Sequence, residues 1–577
     1  MITFQRGLFN TNKSLCDIQE MYFRTNARNL DYENSIILNS GHFFSTDTYF
    51  NSISVGKIKK YTVIENVYLK LKVKGDFFLK IYHINNSLEK LEIFSKRYSL
   101  NKLAEINIEL EQWANLSNGL IYFVIHAVDI TSLYDFSYLT NTQPTQEVKL
   151  AIVITHFNRQ QYLLPALKRI ENELLNFSEF SNISVIVSDN SQNLNFESSE
   201  KIKIYKNKNY GGSGGFTFGL LKAQECNFTH CLFMDDDAST EIEAIKRIFN
   251  LLGFSKNGKL SIIGSMLYDN KKNIQHENGA ILNKVVDSIN RNLDLTSVKN
   301  LVLNEFNNKI DYAGWWFFSF PIKSLEHYPF PFFVRGDDVS FSIVNDFDFM
   351  TINGVCSWQE DFRYKHSAFL HYLNIRSLYV LNLTKQAKGG LLSFYEILFK
   401  SFLTGLLTYR YNIAIAALCA IKDVLKGEEF WVENLDMIKK REEINEKFIK
   451  YNSRHDVSIN IEENFEKERF VKKFFRIVSF NGIFFPKFFL KNESKDLYFY
   501  NVSPKDVYLY RSIRYFNSKG DYELVTLDRI LIFKLLIEFF SIFLILIFSS
   551  VFMYSKYKTI YDNLTKKDFW LGVFDGK

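Results

Sequence analysis

Cysteine is scarce in this sequence, and a secretory signal is missing. The 577 residues include 5 cysteines, and no two of them have the Cys-x-x-Cys spacing of zinc sites and redox motifs. The N-terminal residues, MITFQRGLFNTNKSL, lack the long apolar stretch of an export signal. We therefore expect a protein of the reducing cytoplasm with no cysteine-based metal centre.

A strong net charge is also absent. Lysine and arginine number 70 and aspartate and glutamate 64, which leaves a formal charge of +6. The basic residues do not form the dense clusters of a nucleic-acid-binding protein, although a mild positive charge suits an anionic substrate or a membrane surface. Apolar residues make up 47% of the chain, which excludes disorder, and its length predicts two to four domains.

The sequence pattern changes twice along the chain. Residues 1–145 contain alternating segments such as YTVIENVYLKLKV and GLIYFVIHAV, which predict an antiparallel β-sandwich. After the polar linker TNTQPTQE, residues 146–385 alternate strands with helices, which predicts an α/β domain with a mostly parallel sheet. Residues 386–577 contain long helical stretches and predict a mainly helical domain. The fold class is therefore multidomain.

Glycine is infrequent, with 25 residues, yet four glycines fall in the window GGSGG at 211–215. The motif is neither a P-loop nor GxGxxG, so taken alone it would be a turn. Three carboxylates, Asp235 to Asp237, follow an apolar strand in FMDDDAST. Asp235 and Asp237 point to one side of an extended segment, where their hard oxygens suit Mn²⁺ or Mg²⁺ holding a diphosphate. The alternative is an acidic turn that begins a helix.

Two further motifs have both a chemical and a structural interpretation. Asp337 and Asp338, in FFVRGDDVSFSIV, could supply the general base that removes a proton from an acceptor hydroxyl, or they could cap the following helix. Trp315 and Trp316, in YAGWWFF, could form a stacking platform for a sugar, or they could belong to the core.

Together, NYGGSGGF, MDDD, GWWFF and GDDVSFSIV resemble the polymerising galactofuranosyltransferases. These are glycosyltransferase family 2 enzymes with the GT-A fold that use UDP-galactofuranose. TDTYFNSI resembles the family's N-terminal, carbohydrate-binding-like sandwich and LTKKDFWLGV its C-terminal end. The resemblance implies inverting transfer of galactofuranose from the UDP-sugar to a growing cell-surface glycan. It also implies a lipid-linked oligosaccharide or polysaccharide acceptor and a Mn²⁺ or Mg²⁺ cofactor.

The resemblance also implies roles for individual residues. Asp338 would be the catalytic base, with Asp337 as the fallback. Trp315 and Trp316 would bind the acceptor. The metal would be held by Asp235, Asp237 and Gln359. The residues that would contact the sugar nucleotide are Thr155, Arg159, Asp189, Asn209, Gly212, Ser213, Gly214, Asp235 and Asp236.

The chain departs from the family at Gln359, where these enzymes have the histidine of a Trp-His pair that completes the metal site. An amide oxygen is a weaker ligand than imidazole and favours a harder ion such as Mg²⁺. His366 or His371 could substitute. Two other functions stay open: a family 2 transferase with a different sugar nucleotide, and a non-catalytic glycan-binding protein associated with the membrane.

The segment 530–555 is strongly apolar, in RILIFKLLIEFFSIFLILIFSSVFMYSKYK. It is long enough to span a bilayer, but Lys534 and Glu538 lie within it at i,i+4 spacing. We expect an anchor that lies on the membrane, with a buried core helix as the alternative. The predicted location is cytoplasmic, peripheral at the inner face of the cell membrane, and a homo-oligomer is compatible with the sequence.

Overall fold

The computed structural model describes residues 1–27, 35–362, 366–456, 468–500, 502–517 and 519–576. In the described part of the N-terminal region, nine strands pair antiparallel in one sheet with the central order β1-β9-β6-β8-β4-β2. The strands are β1 Ile2–Arg6, β2 Arg24–Thr25, β3 Ile36–Leu38, β4 Phe43–Ser45, β5 Ile53–Ser54, β6 Tyr68–Ile84, β7 Lys90–Glu109, β8 Leu120–Ala127 and β9 Thr131–Thr140, and the helix is α1 Val55–Tyr61. The predicted antiparallel N-terminal region is confirmed.

The alternation in β6 determines which face of the sheet is buried. Leu69, Leu71 and Val73 are fully buried, whereas the lysines between them are half-buried or exposed. Successive side chains of a strand point to opposite faces, so one face of this sheet packs into a core and the other meets water.

The central domain contains a mixed sheet with the order β12-β11-β10-β13-β18-β14-β15, and a further strand, β19, pairs with β14. The strands are β10 Leu150–His156, β11 Ile183–Asp189, β12 Ile202–Lys206, β13 His230–Asp235, β14 Leu260–Tyr268, β15 Lys271–Glu277, β16 Ala280–Leu282, β17 Val286–Ser288, β18 Phe318–Pro321 and β19 Asp348–Gln359. The helices are α2 Gln160–Ile170, α3 Gly211–Glu225, α4 Ile242–Gly253, α5 Val298–Asn304 and α6 Asp337–Val344. This is the GT-A arrangement, with β10 to β13 parallel.

The C-terminal region is mainly helical. Its helices are α7 Ala368–Leu383, α8 Gly390–Leu407, α9 Tyr411–Lys426, α10 Glu428–Glu433, α11 Ile438–Lys447, α12 Phe470–Val478, α13 Pro504–Val507, α14 Arg529–Leu564 and α15 Lys567–Phe574. A four-stranded sheet with the order β20-β23-β22-β21 lies beside them, formed by β20 Ser453–His455, β21 Lys491–Tyr498, β22 Tyr510–Phe516 and β23 Asp521–Thr526. The sequence pattern did not predict this sheet.

Two helices of the described chain are long and apolar enough to cross a membrane, α8 and α14. On α14, buried residues such as Ile532, Phe539 and Tyr557 recur every three or four positions and face the domain. The Tyr557 hydroxyl donates to the carbonyl of Val424 on α9 at 2.7 Å. The opposite face of α14 is exposed and apolar; Phe548, for example, is 80% exposed. The helix therefore lies against the protein along one side.

The last helix, α15, packs on the central domain. Trp570 is fully buried, and its indole nitrogen donates to the carbonyl of Pro329 at 2.8 Å. Phe574 contacts Phe218 of α3, with ring centres 5.0 Å apart, and also approaches Tyr210. The C-terminal end of the chain therefore supports the glycine-rich helix α3.

Candidate active site

The carboxyl ends of three parallel strands bring the predicted polar residues to one edge of the central sheet. In the register of β10 with its neighbours, Thr155 pairs with Asp235 of β13, and His156 pairs with Asp189 of β11. Ligands of open α/β sheets bind at this edge. The structure therefore brings together the strand-end motifs that the sequence placed there.

Asp189 and Asn209 already have local hydrogen-bond partners. The Asp189 carboxylate accepts from the backbone nitrogens of Ser191, Gln192 and Leu194 at 2.8–3.1 Å. The Asn209 side-chain oxygen accepts from the backbone nitrogen of Gly211 at 2.9 Å. Both side chains therefore fix the loops around the expected nucleotide position. The hydroxyl of Thr155, in contrast, is buried without a partner among the described residues.

The three consecutive aspartates have different surroundings. Asp236 is buried, and it accepts from Arg159 at 2.9 Å, from His156 at 3.2 Å and from the backbone nitrogen of Phe157 at 3.0 Å. The same Arg159 nitrogen lies 3.0 Å from Asp237. Asp236 thus positions Arg159, whose partly exposed guanidinium adds positive charge at this edge.

Gln359, at the end of β19, lies between the other two carboxylates. Its amide nitrogen donates to Asp235 at 3.0 Å and to Asp237 at 3.1 Å. Its amide oxygen is buried, and no described residue donates to it. The structure therefore brings Asp235, Asp237 and Gln359 together.

These side chains fit a hard divalent cation. Rotating the Gln359 side-chain amide by half a turn would exchange its oxygen and nitrogen. The oxygen would then lie between Asp235 and Asp237, where the nitrogen now lies. Two carboxylates and an amide oxygen are ligands that Mg²⁺ and Mn²⁺ accept. Within the described chain no three residues of the His, Cys, Asp and Glu types form a metal cluster. The amide of Gln359 would be the third protein ligand.

The glycines do not form the turn that the motif alone predicts. Gly211 begins helix α3, and all four glycines lie in its first turns. Gly211 has a positive φ of 69° and packs against the carbonyl of Phe333, and a side chain at Gly215 would collide with Thr155. Small residues are needed here because the start of α3 lies close to Thr155, at the end of β10, and to the loop that contains Phe333.

Ser213 and Gly214 are buried within this packing. The Ser213 hydroxyl donates to Asp337 at 3.3 Å, and a side chain at Gly214 would collide with Tyr210. Gly212 lies beside the Asp337 carboxylate and lines the neighbouring cavity. The start of α3 therefore lies between the sheet edge that carries Asp235 and the carboxylates Asp337 and Asp338 of α6.

Asp337 and Asp338 occupy the first turn of α6. Gly336 precedes them with a φ of 85°, a left-handed conformation that glycine adopts readily. Burial raises the pKa of both carboxyls, and the charge of Asp338 raises the pKa of Asp337 further. Arg335 counteracts part of this effect at Asp338. Asp338 is therefore the carboxyl that ionises first as the pH rises.

A cavity of about 650 Å³ joins the two carboxylate groups, since it is lined by Asp235 on one side and by Asp337 and Asp338 on the other. Trp315 and Trp316 contribute to its wall but are largely buried, at 4% and 7% exposure. Trp316 donates to the carbonyl of Gly264 at 3.3 Å. The indole nitrogen of Trp315 is buried with no partner in the described chain. Each tryptophan is thus a core residue with an edge at the cavity.

Glu277, which no sequence motif singles out, lines the same cavity from the end of β15. One carboxyl oxygen accepts from Ser288 at 2.8 Å, while the other is buried without a partner among the described residues. Burial raises the pKa of Glu277 to about 8, and the charge of Asp338 contributes. The only signal in the sequence was the pair His276-Glu277 followed by Asn278 and Gly279, a pattern too common to single out.

Comparisons with known proteins agree with the geometry. Residues 4–141 match the family described as Galactofuranosyltransferase 2 N-terminal, and residues 151–304 match Glycosyl transferase family 2. A galactofuranosyltransferase GlfT2 from Mycobacterium tuberculosis is 22% identical over 457 residues, which cover 72% of this chain and 70% of that protein. GlfT2 from Mycolicibacterium smegmatis is 21% identical, with 72% and 69% covered.

Other similarities cover less of the chain. A β-1,3-glucosyltransferase from Campylobacter jejuni that acts on GalNAc(5)-diNAcBac-PP-undecaprenol is 29% identical over 140 residues, covering 22% of this chain and 41% of that protein. The structure of a Pyrobaculum calidifontis mannosyltransferase overlaps 49% of this chain and 77% of its own at 10% identity, with a TM-score of 0.27. The chain therefore contains a family 2 glycosyltransferase domain, and it is homologous to the GlfT2 galactofuranosyltransferases over 70% and 69% of their lengths, which supports a glycosyltransferase.

Proposed function

We propose that the protein transfers galactofuranose from UDP-galactofuranose to a hydroxyl of a growing cell-surface glycan, with inversion at the anomeric carbon. The observation that carries the proposal is the single cavity shared by Asp235 and Asp338. A donor held at the strand edge and an acceptor held at α6 would meet in this space. The GlfT2 relatives support galactofuranose as the sugar.

Asp338 is the proposed base. It would take the proton from the acceptor hydroxyl while the hydroxyl oxygen attacks the anomeric carbon from the side opposite UDP. The bond between that carbon and the diphosphate oxygen breaks, and its electron pair leaves with UDP. A carboxylate with a pKa near 6 is ionised at neutral pH yet basic enough to accept the proton.

Glu277 and Asp337 would position the acceptor. Burial raises the pKa of both, so near neutral pH each holds a proton that it can donate to a sugar hydroxyl. The unpaired oxygen of Glu277 can accept a hydrogen bond from the same sugar. The indole N–H of Trp315 would supply a further donor at the cavity wall.

Asp235, Asp237 and Gln359 would hold a Mg²⁺ or Mn²⁺ ion. When bound, the ion would neutralise the negative charge that develops on the departing diphosphate. Arg159 lies beside the same carboxylates and would add a fixed positive charge for the leaving group. Asp236 would keep this guanidinium in place through its 2.9 Å contact.

A donor screen tests the proposal. The purified full-length chain is incubated with a short galactofuranose acceptor and, in separate reactions, UDP-galactofuranose, UDP-galactopyranose, UDP-glucose and GDP-mannose, with EDTA, Mg²⁺ or Mn²⁺. Mass spectrometry should show extension with UDP-galactofuranose and a divalent ion only. Extension by another sugar alone would establish the alternative, a family 2 transferase with a different donor.

The exposed apolar surface of the C-terminal region supports a membrane location. The outer faces of α12 and α14 carry Phe470, Phe474, Phe548 and Val551, each more than half exposed. Lys472 and Lys473 of α12 would attract anionic lipid head groups. Because α14 packs along its length on the domain, the segment 530–555 would lie on the inner face of the cell membrane rather than cross it. Such a location would keep the enzyme near a lipid-linked acceptor.

A further inference from the structure

A second cavity of about 370 Å³ lies in the C-terminal region next to the candidate active site. We call it the distal cavity. It lies between the residues before α7, the start of α9, the end of α11 and the sheet β20–β23. His366 lines both the distal cavity and the cavity that contains Asp338. The two cavities adjoin at this residue, so one elongated ligand could occupy both.

Aromatic rings form much of the wall of the distal cavity. They include Phe448, Tyr451, Phe499, Tyr515, Phe516 and Tyr522. Phe499 and Tyr515 meet edge to face with ring centres 5.9 Å apart. Phe516 and Tyr522 lie 4.9 Å apart. Such rings offer rigid apolar faces with polar edges, which suit the C–H faces and hydroxyl groups of a sugar.

The charges around the cavity disfavour an anionic ligand. Arg410 lines it, but its guanidinium donates to the side-chain oxygen of Thr408 at 3.0 Å and to the carbonyls of Phe499 and Val502 at 2.9 and 3.3 Å. Asp521 and Glu523 also line the wall and would repel a phosphate or nucleotide. A neutral molecule rich in hydroxyl groups fits these surroundings.

A lipid tail is the wrong chemistry for the distal cavity. A hydrocarbon chain in the distal cavity would bury Asp521, Glu523 and Arg410 against apolar atoms, which is unfavourable. The same region has a separate cavity of about 220 Å³ with an entirely apolar lining that includes Phe399, Phe484 and Phe533. The lining of that separate cavity matches the chemistry of an acyl chain better.

Tyr451 and Glu523 supply hydrogen-bonding capacity inside the distal cavity. The Tyr451 hydroxyl is buried, and no described residue is its partner. Burial raises its pKa, so it stays protonated and can donate. Glu523 is directly opposite Tyr515 in the register of β22 and β23, and burial raises its pKa above the ordinary value. A sugar hydroxyl between Tyr451 and Glu523 would satisfy both groups.

We propose that the distal cavity is a saccharide-binding subsite that holds a residue of the acceptor glycan remote from the end being extended. Tyr451 and Glu523 bind its hydroxyl groups, and the aromatic wall packs on its ring. The identification of the sugar as part of the acceptor rests on the proposed function. Binding at a distance from the reacting end would favour long acceptors over short ones.

The test compares two tyrosines whose buried hydroxyls both lack a partner among the described residues. Tyr451 lies in the distal cavity, and Tyr138 lies in the N-terminal domain. A galactofuranose hexasaccharide is titrated into the full-length chain by calorimetry without donor. Tyr451→Phe should raise its Kd roughly 3- to 10-fold, the effect of one lost hydrogen bond. Tyr138→Phe should leave the Kd unchanged, and neither variant should lower Tm.

Kinetics separate this proposal from the proposed reaction. Tyr451→Phe and Glu523→Gln should raise KM for the hexasaccharide with little change in kcat. If galactofuranose transfer fails but Tyr451→Phe still weakens hexasaccharide binding, the subsite stands and the proposed reaction is wrong. If transfer proceeds and neither variant changes Kd or KM, the subsite is refuted. A wild-type chain that does not bind the hexasaccharide refutes it as well.

Discussion

Replacing Asp338 by asparagine tests the base of the proposed reaction. Asparagine keeps the size and hydrogen-bonding shape of the side chain but cannot take the acceptor proton. We expect kcat to fall by about two to four orders of magnitude, the usual effect of removing a general base. UDP affinity, measured by calorimetry, should stay nearly constant because Asp338 lies on the acceptor side of the cavity.

The pH profile gives the sharper result. Burial raises the pKa of Asp338 to about 6, so the carboxyl is mostly ionised at neutral pH and becomes protonated as the pH falls below this value. The kcat/KM of the wild type should therefore decline as the pH drops below about 6. The residual activity of Asp338→Asn should lack this dependence. Release of UDP, followed between about pH 4.5 and pH 8, measures both profiles.

Asp337→Asn is the matched comparison: it should keep the pH dependence and raise KM for the acceptor that Asp337 would position, and it should also change stability. Burial and the charge of Asp338 raise the folded-state pKa of Asp337 to about 8, above the unfolded value of 3.8. The protonated carboxyl is therefore favoured in the folded chain, and stability is lost as the pH rises from the unfolded pKa through the folded one. Asparagine removes this loss. Tm at pH 7 to 8 should rise by roughly 2–4 °C for each kcal/mol regained.

Two outcomes would contradict this assignment. If Asp337→Asn abolishes the pH dependence while Asp338→Asn changes only Tm, the roles of the two carboxylates are reversed. If both variants keep wild-type turnover, the pair is structural and the proposed base does not exist.

Three further predictions concern the metal ligands and the membrane. Asp237→Asn should weaken Mn²⁺ binding, measured by electron paramagnetic resonance, and lower kcat by about two to three orders of magnitude. Its far-UV circular dichroism should be unchanged, and full activity would exclude Asp237 as a ligand. Gln359→His should strengthen Mn²⁺ binding in the same titration because imidazole is the stronger ligand, and an unchanged titration would place Gln359 outside the metal site. Phe548→Glu should reduce flotation with anionic vesicles while turnover of a soluble acceptor persists; unchanged flotation would show that this face of α14 does not touch lipid.

Periodicity was sufficient to predict most of the architecture. The alternation in Tyr68–Ile84 and the strand-helix order after residue 146 each reflect local contacts with a core, and both regions folded as expected. The sheet β20–β23 was missed because its strands are partly exposed and carry many charged residues, as in Lys491–Tyr498. Such segments have no strong apolar alternation.

The candidate site was predictable where a motif follows a strand directly. Asp235 lies at the end of β13, and it lines the same cavity as Asp337 and Asp338. The glycines predicted a turn because glycine weakens an isolated helix, whereas here the helix needs close approach to Thr155 and Phe333. The role proposed for Glu277 depends on its three-dimensional neighbours, so no local pattern could reveal it.

The position of α15 also links distant parts of the chain mechanically. Trp570 and Phe574 complete the support of α3, at the centre of the candidate site, although they lie far from the glycines in sequence. Deleting α15, or replacing Trp570 by a small residue, would therefore loosen the start of α3 without touching any residue of the site itself.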